Sequence, residues 1–470
     1  LQADPEVVVR ATSAQEVSDI FRLANRYKVP VTPRGAGYGL SGGAVATQGG
    51  IVLSLEKMDR VLEIDHANLM VTVEPGLITG ELHRAVEDEG LFYPPDPASL
   101  DSCTIGGNIA ENAGGPHCLR LGVTRRHLRR LGWVDASGRA WTTGRGLPLE
   151  RGVDFVSLLC GSEGTLGVVT GADLALVPDP PAVVTLLAFF PGLDRATGAV
   201  VGLLGEGMLP VAVEMVDQAM LVAIEEAFGF GFPTDVAAAM IVEFAGLPEE
   251  VAEDAAAAGS FLSEEGASEV RTAADRDERT ELWKCRKKAF GAVGRLAPSY
   301  VTMDVVVPLG SLPALVDEIQ VIKTRSGVEV ATAFHAGDGN LHPGVHYDDR
   351  DPDQTRAAHA AADEIIRAAL RRGGSATGEH GVGIEKLHVL PWQLDAGTAG
   401  LLRKIKRLFD PDDLLNPGKA LPDPASEFSP APAVPRVVDF RGRDLTVPAP
   451  ATTPMSDLQE AASRRGMQIP

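Results

Sequence analysis

A polar cap followed by apolar residues at helical spacing opens the chain. Ser13-Ala-Gln-Glu16 reads as a capping box, and Val17, Ile20, Phe21 and Ala24 then recur at three- and four-residue intervals, which predicts an amphipathic helix over 14–27. The pattern then changes period: VPVTP, IVLSL (Ile51 to Leu55), VLEID (Val61 to Asp65) and MVTVEPG are short β-type runs ended by turn residues. Further on, VVTLLAFFP and MIVEFAG read as strands alternating with alanine- and glutamate-rich helical runs. One of these runs, EEVAEDAAAAGSFLSEEG, reads as a solvated helix rather than an acidic binding tail. The class is α+β, and 470 residues call for two or three domains.

Between the second and third of these elements lies PRGAGYGLSGGA, Pro33 to Ala44, with a formal G-x-G-x-x-G at Gly37, Gly39 and Gly42 and an acidic residue, Glu56, further on. A dinucleotide-binding βαβ unit does not fit it. Only Ala44 to Gly50 separate Gly43 from the next strand, whereas a right-handed crossover needs a helix and at least about 10 residues. A glycine-rich loop without a helix behind it remains, whose successive amides can converge on a pyrophosphate. Two more small-residue stretches, PPDPASLDSCTIGGNIAENAGG (Pro94 to Gly115) and GSEGTLGVVT (Gly161 to Thr170), suit the close approach of backbone to a flat, extended ligand.

Composition narrows the partners. A net charge of −21 argues against nucleic acid, which demands basic patches. The longest strongly apolar run, Val183 to Phe190, is far too short for a membrane span, and the start LQADPEVVVR lacks a secretory pattern, so a cytoplasmic location is expected. The four cysteines, Cys103, Cys118, Cys160 and Cys285, have no CxxC spacing and give no ligand set for zinc or an iron–sulfur cluster.

The three glycine-rich stretches resemble the FAD-binding domain of the vanillyl-alcohol-oxidase type flavoproteins. The later segments ELWKCRKKAFGAVGR, YVTMDVVVP, FHAGDGNLHP, GGSATGEHGVGIEK and FDPDDLLNPGKALP, taken in order, resemble the D subunit of glycolate oxidase and the FAD-dependent D-lactate dehydrogenases. The resemblance covers about residues 1 to 422. It implies a two-subdomain FAD-binding domain over 1–178, an α+β (ferredoxin-like) cap over 179–370, and a segment 371–420 that returns to the flavin site. The cofactor-binding residues it implies are Arg34, Gly35, Ala36, Gly37, Tyr38, Gly39, Leu40 and Ser41 in the first loop. The second loop contributes Pro95, Asp96, Ser99, Thr104, Gly106, Gly107, Asn108, Asn112 and Gly114, and Gly164, Gly167, Val168, Val169, Glu379 and Asn416 complete the set. Relatives with covalent flavin carry histidine where this chain has Tyr38, so FAD is expected to be held without a covalent bond there.

FHAGDGNLHP raises a chemical question of its own. Asp338-Gly339 is a preferred two-residue hairpin corner, which would set His335 opposite His342 with β-carbons about 4.5–5.5 Å apart, near enough to share one divalent metal. Two ordinary polar residues on a hairpin would look the same. Glu379, in the glycine-flanked turn GEHGVG, offers a third ligand, and in metal-dependent relatives the positions matching His335, His342 and Glu379 hold the metal (zinc, manganese or iron). His380 matches the general base that takes the 2-hydroxyl proton, imidazole being suited to neutral pH. Arg286 in WKCRKK matches a carboxylate-binding arginine, while Lys284, Lys287 and Lys288 read as a solvated helix face.

The function expected from the resemblance is oxidation of a small D-2-hydroxy acid to the 2-oxo acid, with hydride passing to flavin N5. Lysine stands at the position of Thr302 in some relatives with larger substrates, so a small monocarboxylate, glycolate or D-lactate, is favoured here. An iron–sulfur subunit and a second flavin subunit are the implied electron acceptors, and any attachment to the inner membrane would be peripheral, through them. The rival reading is a flavin-binding electron-transfer or scaffold subunit without turnover of its own. Beyond the family's usual end, residues 421–436 read as a proline-rich linker. Leu458, Ala461, Gly466 and Pro470 then repeat the spacing of Leu82, Ala85, Gly90 and Pro94, so 437–470 read either as the start of a second flavin-type domain or as a C-terminal strand and helix docking on the first domain.

Overall fold

The computed structural model describes residues 3–144, 153–273 and 275–428. Residues 437–470, and the second half of the proline-rich linker before them, lie outside these residues.

The capped helix forms over Ala14–Tyr27, where the Ser13 side chain accepts from Glu16 N–H and the Glu16 carboxylate accepts from Thr12 N–H at 2.7 Å. Its buried positions Val17, Phe21 and Ala24 pack on a three-stranded parallel sheet in which Ile51–Ser54 lies between Val7–Arg10 and Val31–Arg34. Residues 35–50, which join two parallel neighbours of that sheet, contain no helix. A second sheet is antiparallel and runs, in spatial order, Val61–Asp65, Met70–Val73, Val168–Ala175, Leu128–Val134 and Ala140–Thr143. The two sheets are the two halves of the N-terminal domain.

The cap is built on one large antiparallel sheet. Its strands lie in the order Glu269–Thr272, Ala182–Phe190, Ala238–Gly246, Ala212–Asp217, Glu329–His335, Asn340–Tyr347 and Ser299–Thr302, with Val305–Val306 also paired to Asn340–Tyr347. One face carries Met215, Met240, Phe334, Leu341 and Val345 against the helices Leu193–Gly205, Pro248–Glu264, Leu312–Ser326 and Pro352–Arg371. On the other face, Ala212, Ile241, Ala331 and Ala333 pack on Gln218–Phe228 and Arg276–Lys287. Strand alternation puts Thr185, Glu243, Glu214, His335 and His342 on this second face, so one part of it is polar. That polar strip faces the N-terminal domain.

Residues after 371 stitch the two domains together. Ser375 and Thr377 bridge to Val306 and Asp304 of the cap, while Val31 N–H donates to Leu414 O at 2.7 Å and Asn416 N–H to Val31 O at 2.8 Å. Among the described residues no helix is long and apolar enough to cross a membrane.

Candidate active site

A cavity of about 440 Å³ lies where the domains meet, and one continuous lining joins the glycine-rich loops to the histidine cluster. Of the residues expected to bind the cofactor, Arg34 to Leu40, Ser99, Thr104, Gly106 to Asn108, Gly164, Gly167 to Val169 and Glu379 face it. The close packing behind these loops explains the glycines: a β-carbon on Gly106 would sit 2.9 Å from Pro75 O, and one on Gly167 would meet the Trp133 ring at 2.5 Å. Such a backbone-walled cavity, long enough to join three loops to a cluster of ionisable groups, fits an extended dinucleotide such as FAD.

Six expected residues do not line the cavity. Asp96 pairs with His117, Pro95 O accepts from the His83 ring at 2.9 Å, and Asn112, in a left-handed conformation, accepts from Arg125 N–H. Ser41 O accepts from Ile384 N–H, and Asn416 Nδ2 donates to Gly43 O and Glu163 O. Gly114 sits behind Glu379, where a β-carbon would be 2.9 Å from both Glu379 Oε2 and Cys118 Sγ. These residues brace the loops from outside.

His335, His342 and Glu379 do come together, although by a different register from the one expected. His335 pairs with Asn340, and His342 pairs with Ala333. The corner is Ala336–Asp338 in a 3₁₀ turn closed by Gly339 at φ 76°, not a two-residue Asp-Gly turn. The shift is by two residues, so strand parity is kept and the imidazoles meet as diagonal neighbours on one face, ring centroids 5.1 Å apart.

His335 Nε2 and His342 Nε2 each lie 3.2 Å from Glu379 Oε1. A tetrahedral ion with bonds of 2.0–2.1 Å has its ligand atoms about 3.4 Å apart, close to both of these distances, and the ligand atoms of all three residues lie within 4.8 Å of one another. Asp304, His342 and His380 form a second cluster of potential ligand atoms. Asp304 Oδ2, however, already accepts from Thr377 Oγ1 and from the N–H groups of Gly378, Glu379 and His380, and lies 3.2 Å from Lys386 Nζ. A carboxylate so committed is a poor ligand, and the first set is favoured.

The electrostatics match the geometry. Burial opposes charge on His335, but the carboxylates of Glu214 and Glu379 on its two ring nitrogens outweigh it and hold the ring well above the usual imidazole range. Burial takes His342 down to about 4 because Glu379 does not offset it. Glu379, despite burial, is kept well below the usual carboxylate range by His335, His342 and His380. His380 stacks on His342 with ring centroids 4.8 Å apart, and its Nε2 is 3.5 Å from Glu379 Oε1.

Arg286 is buried, and its Nε lies 2.7 Å from Glu214 Oε2. The guanidinium lines the cavity and has a terminal nitrogen 3.4 Å from His335 Nε2. Lys287 is exposed, as a solvated helix face requires, but it lines the cavity too. Several functional neighbours escaped sequence reasoning: Glu111 and Glu163 within the glycine-rich stretches, Asp304 within YVTMDVVVP, and Glu214. The last had a faint signal, a lone acid in the otherwise apolar run AVEMV.

Comparison with known proteins agrees with this geometry. The FAD binding domain family matches residues 5–144, and the family described as FAD linked oxidases, C-terminal domain, matches residues 179–420. The chain is 38% identical over 418 residues to glycolate oxidase subunit GlcD of Escherichia coli K12, covering 89% of this chain and 84% of that one. It is 39% identical to the GlcD of Bacillus subtilis, covering 89% of each chain. To D-lactate dehydrogenase of Anaerostipes hadrus it is 32% identical, covering 89% of this chain and 90% of that one. Among solved structures, 4-ethylphenol oxidase from Gulosibacter chungangensis superposes with a TM-score of 0.73 at 20% identity, covering 90% and 91% of the two chains. For p-cresol methylhydroxylase the TM-score is 0.70 at 16% identity, with 90% of each chain covered. These two share the fold.

Proposed function

The chain belongs to the FAD-linked oxidases, and on that premise we propose that it oxidises a small D-2-hydroxy acid, glycolate or D-lactate, to the 2-oxo acid. The observation that carries this reading is the single cavity whose lining runs from the cofactor loops to His335, Glu379 and His380. FAD, when bound, supplies the hydride acceptor. This chain's own residues then have separable tasks.

His335 and His342 through Nε2, and Glu379 through Oε1, would hold a divalent zinc, manganese or iron, whose Lewis acidity favours ionisation of the substrate 2-hydroxyl. Glu214 accepts from His335 Nδ1 at 2.7 Å, which leaves Nε2 as the ligand atom. His380 takes the hydroxyl proton at its ring. Arg286 is already aimed by Glu214, and its terminal nitrogens receive the substrate carboxylate. FAD is held by the three loops without a covalent bond to Tyr38, and an iron–sulfur subunit and a second flavin subunit take the electrons onward, in the cytoplasm or at the inner membrane surface.

An anaerobic titration tests the reading. Glycolate or D-lactate added to the flavin-loaded protein is expected to bleach the absorbance near about 450 nm, with L-lactate much slower, in samples carrying about one divalent metal per chain. Absence of bleaching with any 2-hydroxy acid would replace the enzyme with a scaffold subunit.

A further inference from the structure

We infer that Asp304 and Glu163 are paired positioning residues, two buried carboxylates from different domains that grip the Gly378–Gly383 turn by its backbone and so aim Glu379 and His380. The inference rests on the metal-and-base reading above and names what holds that machinery in place. Asp304, with no exposed surface, belongs to the cap and takes the N-terminal side of the turn: Gly378, Glu379 and His380 N–H lie 2.9, 3.0 and 2.9 Å from its Oδ2. Glu163 belongs to the N-terminal domain and takes the other side, with Val382 N–H 2.7 Å from Oε1 and Gly383 N–H 2.6 Å from Oε2.

Five of the six amides from Gly378 to Gly383 are thereby fixed to two anions, with Gly381 as the pivot at φ 76°. Glu379 and His380 each flank a glycine and belong to no helix or strand, so these amide contacts take the place of a helix or strand ladder in fixing their backbone. Lys386 Nζ lies 3.2 Å from Asp304 and compensates its charge. The Thr377 hydroxyl lies 2.7 Å from Asp304 Oδ2 and 3.0 Å from Gly381 O, so its one proton is shared between the anchor and the turn. Because Glu163 also lines the cofactor cavity, the turn has one support in each domain.

The test uses Asp304→Asn, which removes the charge that three backbone N–H groups share at Oδ2, and Glu163→Gln, which puts an amide NH₂ against one of the two N–H groups that its separate oxygens accept. Co²⁺ alone is titrated into the FAD-loaded, metal-stripped proteins, with Glu379→Gln as the control that lacks a ligand. Affinity and the visible Co²⁺ spectrum are read beside flavin content and Tm. Co²⁺ binding weakened about 10-fold or more, with an altered spectrum, a kcat lowered at near-normal KM and flavin retained, supports the inference. Glu379→Gln losing Co²⁺ while both other variants bind it with the wild-type affinity and spectrum overturns the inference and leaves the function standing. Undiminished Co²⁺ binding in Glu379→Gln overturns the metal reading itself and the inference with it. Should Asp304→Asn fail to fold, Glu163→Gln, which acts from the other domain, decides by the same readouts.

Discussion

Glu214 accepts a hydrogen bond from His335, Oε1 to Nδ1 at 2.7 Å, and the two residues lie directly opposite each other on neighbouring strands. The other oxygen of the same carboxylate meets Arg286 Nε at 2.7 Å, so one buried anion orients both an expected metal ligand and the expected substrate clamp. Glu214→Gln keeps the shape and loses the charge. We expect it to weaken metal binding by about 10- to 100-fold, read by competition with a chromogenic chelator, and to raise KM for the hydroxy acid. Glu214→Ala leaves the buried Arg286 without its carboxylate and should lower folding stability by about 3–5 kcal/mol in urea titrations.

His117 joins the domains by a comparable device. Its ring lies between Asp96 Oδ2 at 2.8 Å and Glu243 Oε1 at 3.0 Å, and Trp283 Nε1 donates to the second oxygen of Glu243. Burial opposes its charge, but Asp96 and Glu243 prevail and raise it from 6.5 to about 10. A raised imidazole stabilises the fold fully below its unfolded value and ceases to do so as pH rises through its folded one. The stability of the native chain should therefore decline between about pH 6.5 and pH 10. His117→Gln should show a lower Tm at pH 7 and a much flatter Tm profile over that window; an unchanged slope would mean that His117 is neutral in the native fold.

How much of this was open to inspection in the sequence depends on the range of the interaction. The helix Ala14–Tyr27 is fixed by local spacing and its cap, and it forms where its pattern places it. The missing crossover helix was also legible, because chain length alone forbids it; residues 35–50 span two parallel strands as irregular backbone instead. The hairpin was half legible. Asp338-Gly339 signals a corner, but a 3₁₀ turn and a two-residue turn both end in a glycine with positive φ, and which one forms is decided by the pairing of Glu329–His335 with Asn340–Tyr347. Asp304 and Glu163 were illegible as turn anchors. Each acts on amides more than 70 positions away, at 2.9 Å for Asp304 on Gly378 and 2.7 Å for Glu163 on Val382, and no periodicity records such pairs.

Two glycines that look alike in the sequence should fail in different ways. Gly167 is pressed against the Trp133 indole, so a β-carbon there would overlap a fully packed wall at 2.5 Å. Gly167→Ala should cost about 1–3 kcal/mol of stability and loosen FAD, through displacement of the loop. Gly381 meets a different constraint: it sits at φ 76°, and a β-carbon would run into the carboxyl groups of Glu111 and Glu163. Burial, reinforced by the neighbouring Glu163, pushes Glu111 well above the usual carboxylate range, so the intruding methyl group would press on a pair of acids that tolerate little added crowding. Gly381→Ala should keep its flavin and lose about 1–2 kcal/mol to backbone strain. Its turnover should fall about 10-fold or more, because the strain lies one residue from His380. Flavin content, Tm and kcat measured on both variants separate the two cases, and loss of flavin from Gly381→Ala with normal turnover in the remaining holoenzyme would assign that glycine to cofactor binding instead.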